Sequence, residues 1–245
     1  MTQNDWYVSW FDTHYYHLLY RDRDFNEAKK FIHRLADELH FEKGVKALDL
    51  ACGKGRHALT LANEGLDVLG VDLSEQSITA AKEIKHNNLN FEVHDMRDLI
   101  EGRKFGYIFN LFTSFGYFEN EAENMKVFHV VHQMLEEEGL FIFDFLNLET
   151  TLKNLVKSEE KQIDGVDFFI TKEFDGKHII KTIDVKDGDK VLQFQERVRG
   201  YAASELKEML EMADFEIINS FGNFHLHQFK EQTADRVIYV CKRKI

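Results

Sequence analysis

LDLACGKGR, residues 48–56, is the stretch of this 245-residue chain that decides the fold. It lies at the end of a short apolar run, KALDLA, and leads into RHALTLANEG, which has a helical pattern. A buried strand that enters a helix through glycines lets the backbone approach a ligand, and the helix N-terminus offers unpaired N–H groups to it. The stretch is not specific by itself, because Gly53, Gly55 and Ala58 also satisfy the G-x-G-x-x-A pattern of a dinucleotide site.

Outward from this stretch, strand and helix patterns alternate. Four further apolar runs are typical of strands: DVLGVDL, LNFEVHD, FGYIFNLF and GLFIFDFL. Helical patterns cover residues 24–39, residues 75–87 after the capping residue Ser74, and residues 121–138, with Glu136 to Glu138 expected as solvated helix surface. Continuous apolar strands separated by helices predict a parallel sheet covered on both faces, which is a Rossmann-like, doubly wound α/β fold.

The pattern changes after about Leu148. KQIDGVDFFITKEF, KHIIKTIDV and VLQFQERVR have β-type composition and are separated by the turn signals DGK and KDGD, which predicts an inserted antiparallel meander. A helix from about Ala202 and two strands, FEIINSFG and RVIYVCK, then end the main sheet in an antiparallel pair. We therefore expect a main domain formed by residues 1–147 and 201–245 and a small antiparallel β subdomain formed by residues 148–200.

The composition limits the kinds of binding partner and the cellular compartment that we expect for this chain. A formal net charge of −12 opposes non-specific attraction to nucleic acid, since that attraction needs clustered Lys and Arg. No apolar run approaches the roughly 20 residues that cross a bilayer, and MTQNDWYVSW lacks the pattern of a secretory signal. The two cysteines, Cys52 and Cys241, do not make a disulfide framework. We expect a cytoplasmic protein, a monomer or homodimer, without a membrane or nucleic-acid partner.

Three further elements stand at the ends of predicted strands. Asp72 ends the second strand, where a carboxylate accepts hydrogen bonds from two ribose hydroxyls, a feature that NAD and S-adenosylmethionine share. Beyond the third strand, Asp95 is placed to accept from an adenine amino group while Met96 packs on the ring, which favours S-adenosylmethionine over NAD. FNLFTSFGYF follows the fourth strand. Four strand-end elements in this order are far more specific than any one of them.

The segments LDLACGKGRH, GVDLS, HDMRD, FNLFTSFGYF and GLFIFDFLN resemble, in this order, the motifs of class I S-adenosylmethionine-dependent methyltransferases across residues 45–147. The chain is similar to the branch that includes bacterial amino-sugar N,N-dimethyltransferases and glycine N-methyltransferase-like enzymes. Its leader, WYVSWFDTHYYHLLYRDRD, and its final strands also look like that branch. The resemblance implies methyl transfer from S-adenosylmethionine to N or O of a small-molecule acceptor, with S-adenosylhomocysteine as the product.

The resemblance also implies a set of cofactor-binding residues. Asp49 is expected beneath the amino acid moiety of the cofactor, and FNLFTSFGYF is expected to floor the pocket near the sulfonium. Arg97 either contacts the ligand or forms a salt bridge, and Ala51 departs from the family motif, which usually has a glycine at that position. The predicted cofactor-binding residues are Asp49, Ala51, Gly53, Gly55, Asp72, Leu73, Asp95, Met96, Arg97, Asn110 and Tyr20.

Catalytic residues are less clearly indicated, because methyl transfer from a sulfonium is an in-line displacement in which the protein mainly positions the reactants. Candidates to line the pocket or accept a proton are Tyr16, Tyr117 and His225, then Tyr15, Tyr20, His14 and His227. Each of the tyrosines can equally be an ordinary packed side chain, and for the histidines a solvated or structurally hydrogen-bonded side chain is the favoured interpretation. No metal is expected, since His225 and His227 have no evident third ligand nearby. In the meander, Phe168, Phe169 and Arg197 either shape the acceptor pocket or belong to a dimer interface.

The absence of some residues excludes particular acceptors. A chain without proline lacks the Asn/Asp-Pro-Pro-aromatic motif of enzymes that methylate planar nitrogens in DNA and protein glutamine. Cytosine C5 enzymes need a cysteine after the fourth strand, and none stands there, so covalent catalysis through cysteine is not expected. Methylation of structured RNA such as tRNA, a non-catalytic S-adenosylmethionine-binding protein and, with less support, an NAD dehydrogenase stay open as alternatives.

Overall fold

The computed structural model describes residues 6–21 and 25–244, without the side chains of Val8 and Phe25. Its strands are β1 (Lys46–Leu50), β2 (Asp67–Asp72), β3 (Leu89–Val93), β4 (Phe105–Asn110), β5 (Leu135–Leu146), β6 (Ser158–Ile163), β7 (Val166–Phe174), β8 (His178–Asp187), β9 (Lys190–Arg199), β10 (Phe215–Phe221) and β11 (Arg236–Arg243). Its helices are α1 (Trp6–Phe11), α2 (His14–Leu19), α3 (Phe25–Leu39), α4 (Arg56–Asn63), α5 (Glu75–Ala81), α6 (Glu121–Met134), α7 (Leu148–Lys153) and α8 (Ala203–Met212). Asp24, the predicted start of the helix seen as α3, lies outside the described residues. Among the helices of these ranges, none is long and apolar enough to span a membrane.

Seven strands form the main sheet in the order β10-β11-β5-β4-β1-β2-β3. The strands β1 to β5 all run parallel to one another, whereas β11 runs antiparallel to both β5 and β10. The apolar runs form these strands because helices cover both faces of the sheet, and every residue of β4 is buried. The predicted doubly wound fold that ends in an antiparallel strand pair is confirmed.

The strand order creates a topological switch between β1 and β4. From β1 the chain continues to β2 and β3 on one side, while β4 and β5 lie on the other side. Ligands of open α/β sheets bind in the crevice outside the carboxyl ends of the strands at such a switch. Leu50, Asp72 and Asn110, which end β1, β2 and β4, therefore mark the edge of the sheet at which this crevice is expected.

The strands β6 to β9 form a second, four-stranded antiparallel sheet in sequence order. The first predicted run divides into two strands at a tight turn, in which Asp164 and Gly165 both have positive φ. One face of the sheet packs on the leader helices α1 and α2 through a shared apolar cluster that includes Trp10 and Phe168. The proposed division of the chain into two domains stays a prediction.

The helix after Ser74 is shorter than the sequence predicts. Ser74 caps α5 as expected, since its hydroxyl accepts the backbone N–H of Ser77 at 3.0 Å. The helix ends at Ala81 and not at residue 87, because the next N–H groups, of Glu83 and Ile84, donate to carbonyls only three residues back. This tighter bonding turns the chain out of the α-helix.

The glutamates Glu136 to Glu138 were wrongly predicted to lie on a helix. α6 ends at Met134, and the three glutamates occupy the exposed start of β5. Leu135 explains the difference, because it fits the helical spacing but is buried in extended conformation beside Phe105 of β4. The strand therefore begins earlier than its apolar pattern indicates.

Candidate functional site

A cavity of about 490 Å³ lies at the carboxyl ends of β1 to β4, a volume typical of small-molecule sites. We call it the strand-tip cavity. One wall comes from the loops that follow these strands, and the opposite wall comes from α1, α2 and two residues of β9, Glu196 and Val198. The predicted site residues that line it are Tyr16, Tyr20, Ala51, Gly53, Asp72, Leu73, Asp95, Met96 and Tyr117. Those that do not line it are Asp49, Gly55, Arg97, Asn110 and His225.

The loop after β1 is held in left-handed backbone conformations. The φ angles of Ala51, Gly53 and Gly55 are 57°, 56° and 81°. Glycine adopts such angles freely, whereas an alanine is strained by about 1 kcal/mol. A Cβ at Gly53 would meet no atom within 4 Å, but a Cβ at Gly55 would lie 2.5 Å from the Phe91 ring. Gly55 is therefore required by packing at the N-terminus of α4, and Gly53 is the glycine that faces the cavity.

Asp72 joins the first two strand tips. Its Oδ2 accepts the backbone N–H of Gly53 at 2.8 Å, and its Oδ1 accepts the backbone N–H of Ser74 at 2.9 Å. Burial raises the pKa of Asp72 above its ordinary value, although these hydrogen bonds oppose the shift. The carboxylate thus lies at the cavity wall with each oxygen held in place, as binding of a pair of ribose hydroxyls requires.

Asp49 lies in β1 behind the cavity wall. Its side chain is almost fully buried, and among the described residues its Oδ2 has no hydrogen-bond partner. Burial raises the pKa of Asp49 to about 7, while a hydrogen bond from the backbone of Ala58, in α4, acts in the opposite direction. A buried carboxyl with an unsatisfied oxygen is costly, which indicates a polar partner that the folded chain itself does not supply.

Asp95 and Met96 reach the cavity from the loop after β3, as predicted. Arg97 forms a salt bridge with Asp95, with Nη2 2.6 Å from Oδ2, and a second one with Glu123 at 2.7 Å. Burial alone would raise the pKa of Asp95, but the hydrogen bonds from Arg97 lower it below its ordinary value. The guanidinium also lies 4.4 Å from the centre of the Phe118 ring. Of the two roles that the sequence left open for Arg97, the structure shows the salt bridge.

The loop after β4 contains two strained residues, Phe112 and Thr113, both of which line the cavity. Their φ angles are 57° and 61°, in the left-handed region that bulky and β-branched residues rarely enter. The fully buried carboxyl of Asp144 accepts the backbone N–H of Phe112 at 2.6 Å. Arg236 binds the same carboxyl at 2.8 Å and the Thr113 hydroxyl at 2.9 Å. This ion pair therefore holds the cavity floor in its strained form.

Two other predicted residues support the same loop. Asn110 is buried and donates through Nδ2 to the carbonyl of Ser114 at 3.1 Å, so it shapes the turn rather than the cavity surface. The Tyr117 hydroxyl donates to the carbonyl of Thr113 at 2.8 Å, while its ring lines the cavity. Both side chains position the segment that the sequence predicted as the floor.

The leader closes the cavity from the opposite side. Asp12, between α1 and α2, accepts the Ser74 hydroxyl and the backbone N–H of Gln76, which lie at the start of α5 next to Asp72. The Tyr20 hydroxyl donates to Glu196 of β9 at 2.6 Å. The leader is thus bonded to the start of α5 through Asp12 and to the second sheet through Tyr20. Sequence reasoning missed Asp12, Glu196, Asp144 and Arg236.

The remaining candidates lie away from the strand-tip cavity. His225 and His227 are exposed, with their rings stacked at 5.9 Å. The Tyr15 hydroxyl donates to Asp187 at 2.9 Å, on the second sheet. The others are His14, which is exposed, Phe168, which is buried under the leader, Phe169, which is 42% exposed, and Arg197, which lies beside His178 and Asp175. Within residues 6–21 and 25–244 no group of three or more His, Cys, Asp or Glu side chains is placed to hold a metal ion.

The donor set fits S-adenosylmethionine. Asp72 offers two fixed carboxylate oxygens for a ribose, Asp95 offers an ionised carboxylate beside Met96, and the unsatisfied Oδ2 of Asp49 lies behind the glycine loop. The open space at Gly53 leaves the loop accessible to a ligand at close range. A doubly wound sheet that carries these elements on successive strand tips defines a class I S-adenosylmethionine-dependent methyltransferase.

The comparisons with known proteins agree with this class, and the chain belongs to the family described as "Methyltransferase domain", which matches residues 41–213. A protein of Geobacillus sp. (strain WCH70) with a methyltransferase name is 23% identical over 244 residues, which cover 94% of this chain and 97% of that protein. A dTDP-3-amino-3,4,6-trideoxy-alpha-D-glucopyranose N,N-dimethyltransferase of Streptomyces venezuelae is 32% identical over 97 residues, 40% of each chain. An S-adenosylmethionine-dependent methyltransferase from Clostridium acetobutylicum ATCC 824 has the same fold, with a TM-score of 0.78, 22% identity and coverage of 94% of this chain and 96% of that one.

Proposed function

We propose that this enzyme transfers the methyl group of S-adenosylmethionine to a nitrogen or oxygen of a small-molecule acceptor. The observation that carries the proposal is the wall opposite the strand tips, where aromatic side chains of the leader and residues of β9 narrow the crevice into a partly enclosed chamber of about 490 Å³. A chamber of this size suits a cofactor and a small acceptor, whereas a nucleic acid needs an extended basic surface. The partial similarity to a sugar N,N-dimethyltransferase supports a nitrogen acceptor.

The proposed roles of the residues follow from their places in the strand-tip cavity. Asp72 binds the ribose hydroxyls, Asp95 the adenine amino group, and Asp49, through the loop at Gly53, favours the positively charged amino end of the cofactor. When bound, S-adenosylmethionine supplies a methyl group on a positively charged sulfur, which leaves as a neutral thioether. The protein then has to align the acceptor with that methyl group and exclude water. The leader, on the wall opposite the strand tips, restricts the access of water.

The compartment and the partners form part of the same proposal. Cys52 and Cys241 are both buried and unpaired, which is compatible with a reducing cytoplasm. The acidic chain, with a net charge of −12, suits a cationic or neutral acceptor better than a polyanion.

Two measurements test the proposal. Calorimetric titration with S-adenosylhomocysteine should show binding to the purified protein, and this binding should weaken in Asp72→Asn. Methyl-labelled S-adenosylmethionine, incubated with the protein and a cell extract, should then label the small-molecule fraction. Label that appears only in the RNA fraction or only in protein would contradict the proposal, as would binding of the cofactor without transfer to any fraction.

A further inference from the structure

Glu196 lies at a junction between two cavities. It lines the strand-tip cavity together with Val198, and both residues also line a second cavity of about 430 Å³, which we call the side cavity. The side cavity lies between the second sheet and the segment from α7 to Val156. Glu196 is therefore the charged side chain of β9 that faces both the proposed methyl donor and the space beside it.

The carboxylate of Glu196 is fixed by aromatic donors. Its Oε1 accepts the indole N–H of Trp10 at 2.8 Å and the hydroxyl of Tyr20 at 2.6 Å. Both rings belong to the leader, and the side chain of Glu196 is only 17% exposed. A half-buried carboxylate among aromatic rings is a favourable environment for a cation, because the ring faces and the carboxylate attract positive charge together.

An ammonium group of the chain itself already occupies this environment. The Nζ of Lys181 lies 3.6 Å from Oε2 of Glu196 and 4.5 Å from the centre of the Tyr20 ring, and it donates to the Tyr20 hydroxyl. Lys181 reaches this position from β8 and also lines the side cavity. The geometry shows that an alkylammonium fits between the carboxylate and the aromatic face.

The side cavity offers room for the rest of an acceptor. Its wall combines apolar side chains such as Leu155 and Ile179 with the hydroxyl and amide groups of Thr151 and Asn154. Its other lysine, Lys172, is bound to Glu159 at 2.7 Å. Asp235 adds a carboxylate to this wall. A mixed wall of this kind suits a body that carries both apolar groups and hydroxyl groups, attached to the amine.

We propose that Glu196 binds the protonated amino group of the acceptor in place of Lys181 and takes one proton from it, so that the neutral nitrogen can form its bond to the methyl group as the bond from that methyl group to sulfur breaks. The side cavity receives the rest of the acceptor. This inference rests on the proposed function and narrows its acceptor to a small primary or secondary amine. Lys181 is the residue that the amine displaces, so the two side chains affect cation binding in opposite directions. Glu196 thereby determines specificity for an amine over an alcohol or a phenol.

The test compares two cofactor analogues that differ in charge at the methyl position. Sinefungin carries an amine on carbon where S-adenosylmethionine carries its methylated sulfur, and S-adenosylhomocysteine is neutral there. Calorimetry gives the ratio of their association constants for each variant. We expect Glu196→Gln to lower the ratio about tenfold, since the hydrogen bond to the amine loses its negatively charged acceptor, and Lys181→Met to raise it. Glu173→Gln, the same change at an exposed position of the second sheet, should leave the ratio within about twofold of the original.

The product of labelled transfer distinguishes this inference from the function on which it rests. We expect the labelled small molecule to be retained on a cation exchanger at neutral pH, as an N-methylamine is. A labelled small molecule without a basic nitrogen would overturn the role of Glu196 and leave the small-molecule function standing. Label found only in RNA would overturn both. An unchanged analogue ratio in both Glu196→Gln and Lys181→Met would also overturn the inference, and Lys181→Met decides the matter if Glu196→Gln does not fold.

Discussion

The carboxylate of Asp72 accepts the backbone N–H of Gly53, with Oδ2 2.8 Å from the nitrogen. This hydrogen bond joins the tip of β2 to the glycine loop after β1. The two elements that the sequence predicts as a cofactor site are therefore held together. Its second oxygen binds the N–H of Ser74 at the start of α5. A change at Asp72 should therefore affect the glycine loop as well as the proposed contact with the cofactor.

Asp72→Asn should weaken binding of S-adenosylhomocysteine by roughly ten- to a hundredfold. The amide keeps one acceptor oxygen but turns an N–H donor toward a backbone N–H, and a charged hydrogen bond is worth about 1.5–3 kcal/mol. Titration calorimetry measures the effect. Asp67→Asn, an exposed aspartate at the other end of β2, is the control and should bind like the original protein. Equal affinities for the two variants would remove Asp72 from the site.

Arg236→Lys should destabilise the fold and loosen the cavity floor. A lysine cannot bind the buried carboxyl of Asp144 and the Thr113 hydroxyl from one planar group, so the support of the strained loop is lost. We expect a loss of about 2 kcal/mol in the free energy of unfolding, measured in urea, together with weaker binding of S-adenosylhomocysteine. Arg243→Lys, at the far end of the same strand, should change neither quantity by more than about 0.5 kcal/mol. A similar loss in both variants would show that the ion pair has no special role.

Asp49→Asn should stabilise the unliganded protein more at high pH than at low pH. The pKa of Asp49 is about 7 in the folded protein, above its ordinary value, so the stability linked to its protonated form is complete below about pH 4. That stability is lost as the pH rises through 7. An asparagine does not titrate, so the unfolding free energy of the variant minus that of the original protein should rise by at least about 1 kcal/mol between pH 5 and pH 8. Urea unfolding at both pH values, with Asp67→Asn alongside, checks this. A difference that does not change with pH would mean that Asp49 titrates normally.

Ala51→Gly should make the protein slightly more stable. The φ angle of 57° strains an alanine by about 1 kcal/mol, and glycine relieves this strain. Glycine also has greater conformational freedom in the unfolded chain, which favours unfolding and offsets roughly half of the relief. The net effect is a stabilisation of about 0.5 kcal/mol, which thermal unfolding detects as a small rise in Tm. Ala47→Gly, in the buried part of β1, provides the contrast, because there the same change removes a packed methyl group and should destabilise. If Ala51→Gly destabilises as much as Ala47→Gly, the left-handed geometry at Ala51 is not a source of strain.

The parts of the site that the sequence predicts are those fixed by the regular geometry of a parallel sheet. Asp72 and Asp95 lie at one edge because Asp72 ends β2 and Asp95 comes two residues after the end of β3, and that relation is visible in the order of the segments. Asp144 and Arg236 meet only because β11 pairs antiparallel with β5, a contact between distant segments. A lone charge within GLFIFDFL was the available signal for Asp144, since a carboxyl in a buried strand needs a partner.

Glu196 could not be predicted from the sequence for a different reason. It lies in a strand whose residues are all exposed or half-buried, where a glutamate is ordinary, and only the docking of the leader on the second sheet makes it part of a cavity wall. The residue pattern also does not determine where a helix ends, because Leu135 satisfies a helical spacing and a strand pairing equally well. In each case a tertiary contact decides between local alternatives that the sequence leaves equal.

The second sheet bears on any attempt to miniaturise this enzyme. Excision of residues 158–199, the strands that stand apart from the main sheet, would remove Glu196 and Val198 from the donor chamber and leave the indole of Trp10 without its carboxylate. The apolar side of the leader would then face water. A shortened version would therefore need a redesigned leader before it could keep the strand-tip cavity bounded on that side.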